Sequence, residues 1–334
     1  MKTHSRRRWL GYGLLCGAIV GAAAYGWTKT RGRSRARTEP AATERHATAF
    51  LLRRRIDPGQ IEAVRKAART SLERRNDEDD RNANRLLGLE RAATASLFLD
   101  RGGEESSLAW YVEVPRSVLA AVDDPVGRLE RAFPLEHEAL GDELIVTREP
   151  PIHAAHPDRP RSTAPVPGTD GDAGRLIVTG SESTGAVESA GSTQKAESVD
   201  VALVSMKLRP GMGERLADWL EWLSRRVVVD DWHLGPIEDW SAEMLEREAM
   251  FTETIFVERR SDGTYLLQYM ECAEMADVYE AYYDTWNPVA RGAELLVGRV
   301  VEQPERVLQY PIQTDAECLA HAVASDRPRR LEEF

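Results

Sequence analysis

The sequence predicts an α+β protein made of two ferredoxin-like modules, each with its elements in the order βαββαβ. Three observations favour this: an internal repeat, the same order of elements in both halves, and apolar residues on both faces of the third strand. The repeat is the clearest. Residues 94–101 (TASLFLDR) match residues 252–259 (TETIFVER) without a gap, and Pro58-Gly59 recurs as Pro210-Gly211. Because such repetition marks copies of one supersecondary unit, we interpret the chain as a tandem duplication.

Module one is expected to span residues 45–156. A run of alternating apolar residues predicts its first strand, and Pro58-Gly59 then turns the chain into a helix with apolar side chains at a 3.6-residue spacing. A polar turn joins the second and third strands, and Pro125 breaks the second helical region. The predicted ranges are strands at 47–56, 92–101, 107–114 and 143–148, and helices from 61 to 72 and from 118 to 129.

Module two, residues 199–310, repeats this order. Strands are predicted at 199–209, 251–260 and 264–272, helices at 213–228, 238–250 and 273–283, and a closing strand within 296–310. The connecting segment 157–198 is dominated by small, polar and acidic residues and has no aromatic side chain, which predicts disorder. Residues 311–334 are expected to form an amphipathic or loose extension.

The third strand of each module has apolar or aromatic side chains on both faces. In module one Trp110 and Val112 alternate with Tyr111 and Glu113. The helices of a module can cover only one face of its sheet, so the other face requires a second sheet. The other module is the simplest source. We therefore predict that the modules pair face to face as an intramolecular α+β barrel, a pseudo-dimer within one chain.

The N-terminal segment predicts a membrane anchor. Residues 9–27 are nineteen residues without a charge, which is about the minimum length for crossing a bilayer. Trp and Tyr lie near both ends of this stretch. Basic segments flank this stretch at residues 1–8 and within the spacer 28–44. A cleaved signal peptide is the alternative, but the second basic cluster opposes translocation. We expect an uncleaved single-pass anchor in the cell membrane, with the modules on the cytoplasmic side.

The anchor also contains a glycine face. Gly13, Gly17 and Gly21 form two overlapping GxxxG spacings, which allow a second helix to approach closely. Self-association through these glycines is therefore a prediction. The alternative is that glycine is simply frequent in membrane helices.

Composition excludes several functions. The net charge is −11, and residues 1–40 hold nine basic residues against one acidic residue, so the remainder is strongly acidic and disfavours nucleic-acid binding. The three cysteines show neither a disulfide framework nor zinc-ligand spacing. We find no catalytic triad motif, phosphate-binding loop or dinucleotide fingerprint, and we expect no cofactor and no metal.

The pattern of both modules resembles a family of unknown function, numbered 6176, that belongs with the dimeric α+β barrels. The shared features are the Pro-Gly turn after the first strand, the (T/S)-x-(T/S)-Φ-F-Φ-(D/E)-R strand, and a third strand that contains Tyr-x-Glu. The resemblance covers about 220 of the 334 residues. It implies a ferredoxin-like fold and carries no activity, although the barrel superfamily includes monooxygenases, haem-degrading enzymes and sugar mutarotases.

The strongest site candidates are Tyr111 and Glu113 in module one and Tyr269 and Glu271 in module two. They recur on the strand face expected to line the barrel interior. A buried carboxylate beside a phenol can act as a general acid or base. The alternative is that both pairs make structural hydrogen bonds between the sheets.

Two histidines are weaker candidates. Members of the resembled family carry a histidine-containing stretch after the second helix, which residues 133–137 (FPLEH) resemble in part, and His137 could serve as a base or ligand. Module two has residues 286–291 (WNPVAR) at that place, without a histidine. His233 lies in a polar loop and could cap a pocket. The alternatives, which we favour, are a helix-terminal or surface histidine for His137 and an ordinary loop histidine for His233.

These features leave three functions open. The first is a membrane-tethered, non-catalytic pseudo-dimer that binds or regulates through a small molecule or a protein. The second is a barrel enzyme of monooxygenase or isomerase type with a pocket between the sheets. The third is a purely structural membrane protein that acts through its glycine face.

Overall fold

The structure is a computed structural model, which describes most of both modules. The described residues are 47–73, 86, 92–102, 105–148, 152–155, 175–177, 199–211, 215–216, 218–220, 248, 250–309 and 311–324.

Module one folds in the order that the sequence predicts. Its elements are β1 (Ala47–Ile56), α1 (Ile61–Glu73), β2 (Thr94–Asp100), β3 (Ser107–Pro115), α2 (Arg116–Ala120), α3 (Pro125–Arg131) and β4 (Leu140–Arg148). The four strands are antiparallel in the order β4-β1-β3-β2, which is the ferredoxin-like arrangement.

The turns of module one have local causes. Gly59 has φ of 82°, a left-handed conformation that favours glycine, and it ends the turn from which α1 begins. The predicted break before α3 occurs at residues 121–124. Asp124 caps α3 by accepting a hydrogen bond from the Gly127 amide at 2.9 Å, and Pro125 occupies the first helical position.

Module two contains β7 (Asp200–Lys207), β8 (Met250–Arg260), β9 (Gly263–Cys272), α4 (Met275–Tyr283), α5 (Pro288–Val300) and α6 (Glu305–Leu308). Its strands pair in the order β8-β9-β7. Gly211 repeats the left-handed turn of Gly59, with φ of 73°. The helices predicted at 213–228 and 238–250 lie largely outside the described residues, of which 215–216 and 218–220 are helical.

The two sheets have the same register at corresponding positions. Leu51 on β1 faces Tyr111 on β3, and Leu203 on β7 faces Tyr269 on β9. The neighbouring strands agree, because Tyr111 is also opposite Ser96 and Tyr269 is opposite Thr254. The matched sequence segments therefore occupy matched places in the two sheets.

The closing strand predicted for module two within residues 296–310 is wrong. Residues 296–309, which the structure describes, hold the end of α5 and all of α6, and among them only Val301 forms a single bridge, to Leu208 beside β7. The cause lies in the sequence. Val297, Val300 and Val301 are buried at a helical spacing, so their apolar side chains form one face of a helix rather than of a strand.

Each module instead gives a strand to the sheet of the other. At the end of module one, β5 (Ile152–Ala155) pairs with β8, and after module two, β10 (Ala316–Val323) pairs with β2. The predicted loose extension after residue 311 thus contains a buried strand. Within the segment expected to be disordered, β6 (Arg175–Ile177) pairs with β10, so the expectation fails for these three residues.

The sheets pack face to face, with helices on their outer faces. One buried cluster lies between the first sheet and α1–α3, a second between the other sheet and α4–α6, and a third between the two sheets. The third cluster includes Phe98, Tyr111, Phe256 and Tyr269. The result is an α+β fold with antiparallel sheets that resembles a dimeric α+β barrel, in which one chain supplies both halves.

The predicted anchor, residues 9–27, and its glycine face lie outside the described residues. Among the helices that the structure describes, none is both long and apolar enough to cross a bilayer.

Candidate functional site

Two stacked tyrosine rings lie at the centre of the layer between the sheets. The rings of Tyr111 and Tyr269 are 3.6 Å apart between centroids and are inclined by only 9°. Phe98 packs edge-on against Tyr269 and Phe256 edge-on against Tyr111. Both tyrosines are fully buried. They meet because each occupies the same position on the third strand of its module, and the two strands face each other across the layer.

A chain of polar contacts extends from Tyr111. The Tyr111 hydroxyl lies 3.0 Å from Thr254 Oγ1. Thr254 Oγ1 in turn lies 2.8 Å from His153 Nδ1. His153 Nε2 is 4.0 Å from Glu113 Oε1. All four side chains are buried. We call this set network A: Tyr111, Thr254, His153 and Glu113.

A matching chain extends from Tyr269. Its hydroxyl lies 3.1 Å from Ser96 Oγ, which in turn is 2.9 Å from His321 Nδ1. Glu271 is fully buried on the same strand face as Tyr269, as Glu113 is beside Tyr111. We call this set network B: Tyr269, Ser96, His321 and Glu271. Each network combines strands of both modules, so the polar groups link the two halves.

The structure stacks the two tyrosine candidates of the sequence on each other, and it buries Glu113 and Glu271 two residues farther along the same strands. His137 lies apart from them. It is half-buried in a local turn, where its Nδ1 accepts a hydrogen bond from the Ala139 amide at 3.1 Å. His233 lies outside the described residues.

Sequence reasoning missed the two histidines that complete the networks. His153 and His321 lie on β5 and β10, the exchanged strands. Each lies among small or apolar residues, His153 at the end of module one and His321 after module two, in the segments IHAA (152–155) and AHAV (320–323). That recurrence is the signal that could have identified them.

A buried ionic cluster lies at one end of the layer. Arg53 and Arg260 both contact the Glu258 carboxylate, the latter at 2.9 Å, and both lie within 4 Å of Asp100. Burial, together with the positive charge of Arg260, lowers the pKa of Arg53 to about 10. Burial likewise raises the pKa of Asp100 above its ordinary value, against the opposing effect of a backbone hydrogen bond and the two arginines. The Arg260 guanidinium also stacks over the Tyr265 ring, 4.0 Å from its centroid.

Next to this cluster is a cleft of about 250 Å³, bordered by the end of β7, the β8–β9 turn and α6. It contains two ion pairs. Lys207 Nζ is 3.1 Å from Asp262 Oδ2, and Arg306 Nη2 is 2.7 Å from Asp315 Oδ1. Burial alone would raise the pKa of Asp262, but hydrogen bonds from Tyr265 and Lys207 outweigh it and lower that pKa.

One further buried carboxyl faces away from the layer. Glu253 on β8 accepts a hydrogen bond from Gln268 Nε2 at 2.5 Å. Burial raises its pKa to about 8, and the bond from Gln268 only partly opposes the shift.

These arrangements limit the chemistry of the layer. A hydroxyl beside an imidazole can relay a proton, but Tyr111 and Tyr269 fill the space where a substrate would have to lie. Within the described ranges, no group of three or more His, Cys, Asp or Glu side chains is placed to hold a metal ion. The cleft, by contrast, is open to solvent and has charges of both signs.

Comparison with known proteins gives one family match. Residues 199–312, which comprise module two, match the model of a family of unknown function, DUF6176. A search of curated proteins found no match.

Three solved structures are similar to the chain over most of its length. A candidate monooxygenase from Fusobacterium nucleatum has 4% identity and a TM-score of 0.37, with 84% of this chain and 93% of that chain covered. A candidate monooxygenase from Lactobacillus acidophilus has 8% identity and a TM-score of 0.31, with 83% of this chain and 93% of that chain covered. Chlorite dismutase from Candidatus Nitrospira defluvii has 12% identity and a TM-score of 0.30, with 87% of this chain and 96% of that chain covered. Because these identities and TM-scores are low, the fold described above is based on the strand pairing of this chain and not on the three structures.

Proposed function

We propose that the protein is a membrane-tethered, non-catalytic binding or regulatory protein, in which two diverged copies of one ferredoxin-like module form a rigid pseudo-dimer. Residues 45–156 are then a second copy of the module whose other copy matches the family of unknown function. In this proposal the inter-sheet layer holds the halves together, and ligands or partners bind elsewhere.

The stack of Tyr111 on Tyr269 carries the proposal. Each tyrosine belongs to a different module, and a stacked aromatic pair contributes about 0.5–1.5 kcal/mol beyond its buried area. Networks A and B surround the stack with hydrogen bonds between the modules. Polar networks of this kind, when their members are paired, fix one arrangement of the parts that they join.

The alternative is an enzyme of monooxygenase or isomerase type with its pocket between the sheets. It needs space for a substrate beside Tyr111, Glu113, Tyr269 or Glu271. Those four side chains are buried, and the two rings pack against each other rather than against a void. The buried Ser96–His321 and Thr254–His153 contacts therefore support a structural role better than a catalytic one.

Two experiments test this proposal. A protease site inserted between residues 157 and 174 is expected to give two fragments that remain together in gel filtration, because β5 and β10 cross between the halves. Fragments that separate as folded monomers would overturn the pseudo-dimer.

The second experiment tests the absence of catalysis. Oxygen uptake is measured with phenolic and quinol substrates for the wild-type protein and for Tyr269→Phe. We expect uptake at the level of buffer for both proteins. Uptake by the wild type that is lost in the variant would favour the enzyme.

Membrane tethering is supported by the uncharged stretch 9–27 with its aromatic ends and basic flanks. We place the modules on the cytoplasmic side, since basic residues remain preferentially on that side of the membrane. Protease added to sealed, right-side-out vesicles should leave the modules intact. Digestion of the modules would show that they lie on the outer side of the membrane instead.

A further inference from the structure

The cleft beside β7 has an unusual origin in the duplication. Two residues border it with little or no side chain: Gly102 after β2 and Ser205 on β7. A side-chain carbon on Gly102 would lie 3.1 Å from Asp100 Oδ1 and 3.2 Å from Ser205 Cβ, so these residues lie close together. The cleft thus depends on small residues at this place.

The counterparts of both residues in the other module are arginines. Arg53 occupies on β1 the position of Ser205 on β7, as the pairings Arg53–Ala109 and Ser205–Leu267 show. Arg260 follows directly after segment 252–259, and Gly102 follows directly after the matching segment 94–101, so these two residues are also counterparts. Both arginines are largely buried in the ionic cluster. The equivalent place related by the repeat, between Arg53 of module one and Arg260 of module two, is therefore filled with arginine side chains, whereas the place beside Ser205 and Gly102 is open.

The charges of the cleft come as two separate pairs of opposite sign. Lys207 and Asp262 form one, and Arg306 and Asp315 form the other; Lys207, Arg306 and Asp315 are each about one-third exposed. An ion pair as exposed as Arg306–Asp315 contributes about 0–1 kcal/mol, so a ligand can replace either partner at little cost. In the other pair Asp262 is only 12% exposed and also accepts a hydrogen bond from Tyr265, so Lys207 is the more accessible member. Glu302 adds a third carboxylate to the lining.

The size and charge pattern define the ligand. At about 250 Å³ the cleft is smaller than the pockets of drug-sized ligands, which begin at about 300 Å³. A ligand with a single charge would match one member of each ion pair and oppose the other. A ligand with both an ammonium and a carboxylate can match a cation and an anion of the cleft at once.

We propose that this cleft binds a small zwitterion of amino-acid size. The ligand's carboxylate contacts Lys207 or Arg306, and its ammonium contacts Glu302, Asp262 or Asp315. This inference deepens the proposed binding function and rests on it. It assigns one such site to the chain, because Arg53 and Arg260 fill the place that the repeat relates to the cleft.

The position of the cleft suggests what binding does. One wall is the segment that carries the chain from α6 into β10, where Thr314 Oγ1 donates to the Leu203 carbonyl at 2.6 Å and the Arg101 amide donates to the Asp315 carbonyl at 3.0 Å. This segment crosses from module two to module one. A ligand held there stabilises the crossing and hence the association of the halves.

The test is calorimetric titration of the full-length protein in detergent with each free L-amino acid. Short carboxylic acids and short amines serve as single-charge controls. At least one amino acid is expected to bind with Kd below about 1 mM, and the single-charge controls should bind at least about tenfold more weakly. No amino acid binding below that limit, or equal binding of a simple acid or amine, would overturn the zwitterion site.

Two changes at one position locate the ligand. Ser205→Arg introduces the counterpart side chain of module one, which can reach Asp100 as Arg53 reaches Glu258, and should weaken binding at least about tenfold. Ser205→Ala removes only the hydroxyl and should leave Kd within about threefold of wild type. Undiminished binding by a folded Ser205→Arg protein would place the ligand elsewhere.

A third variant covers the case in which Ser205→Arg does not fold. Lys207→Met combined with Arg306→Met removes both cations that could contact the ligand's carboxylate, so the double variant should also weaken amino-acid binding about tenfold or more; unchanged binding overturns the site. The two proposals fail separately. If the cleaved halves stay together but no amino acid binds, only the zwitterion site is wrong, whereas halves that separate remove the pseudo-dimer itself.

Discussion

Replacing Thr254 by valine is expected to destabilise the protein by about 1–3 kcal/mol. Valine has nearly the shape of threonine, so the change removes the hydroxyl and leaves the packing intact. That hydroxyl is within hydrogen-bond distance of both Tyr111 Oη, at 3.0 Å, and His153 Nδ1, at 2.8 Å. A buried hydrogen bond contributes about 0.5–1.5 kcal/mol net, and two are lost.

The assay is urea denaturation of the full-length protein, followed by tryptophan fluorescence and circular dichroism. Because the exchanged strands join the modules, both probes should report one transition. Thr264→Val is the matched control: Thr264 is also buried in this sheet, but its hydroxyl makes no side-chain hydrogen bond to a described residue. We expect its cost to stay within about 0.5 kcal/mol. If the two variants are equally stable, network A does not link the modules.

Three further predictions follow from the layer, the outer face and the anchor. In a double-mutant cycle, Tyr111→Ala and Tyr269→Ala should show a coupling of about 0.5–1.5 kcal/mol from the stacked rings, and additive effects would contradict the stack. Glu253 binds a proton in the folded state up to pH about 8, whereas the unfolded chain releases it near 4.5. Stability should therefore fall as pH rises from about 4.5 to about 8, by at most about 1.4 kcal/mol per unit, and Glu253→Gln should lack this slope in denaturation at several pH values. The same slope in both proteins would assign the titration to another group. Gly17→Leu should abolish crosslinking of the full-length protein in membranes, and persistent crosslinking would exclude the glycine face as the contact.

Local pattern was sufficient for most of the fold. The strands of module one and the third strands of both modules followed from alternation, and the repeat then placed Tyr111 and Tyr269 at equivalent positions. Their apolar surroundings on both strand faces correctly indicated a second sheet. These inferences succeeded because the period of a strand and the conformation of a Pro-Gly turn are determined by neighbouring residues.

The strand exchange could not be predicted in the same way. Residues 316–323 are separated from their partner strand β2 by more than two hundred positions, and nothing in a short apolar strand specifies which sheet edge it joins. The same holds for Ile152–Ala155 beside β8. His153 and His321 were missed for this reason, since a histidine on an unplaced strand has no evident neighbours. The predicted closing strand failed because its valines have a helical spacing.

The same exchange sets an order of events during synthesis. The edge of β2 is made first, and the strand that covers it, Ala316–Val323, follows more than two hundred residues later. While the ribosome works through the intervening residues, module one exposes an unpaired, apolar strand edge, the kind of surface on which chains aggregate. Its long-range pairing also predicts slow maturation. We therefore expect the nascent first half to bind chaperones until Ala316–Val323 has been made and the edge of β2 is covered.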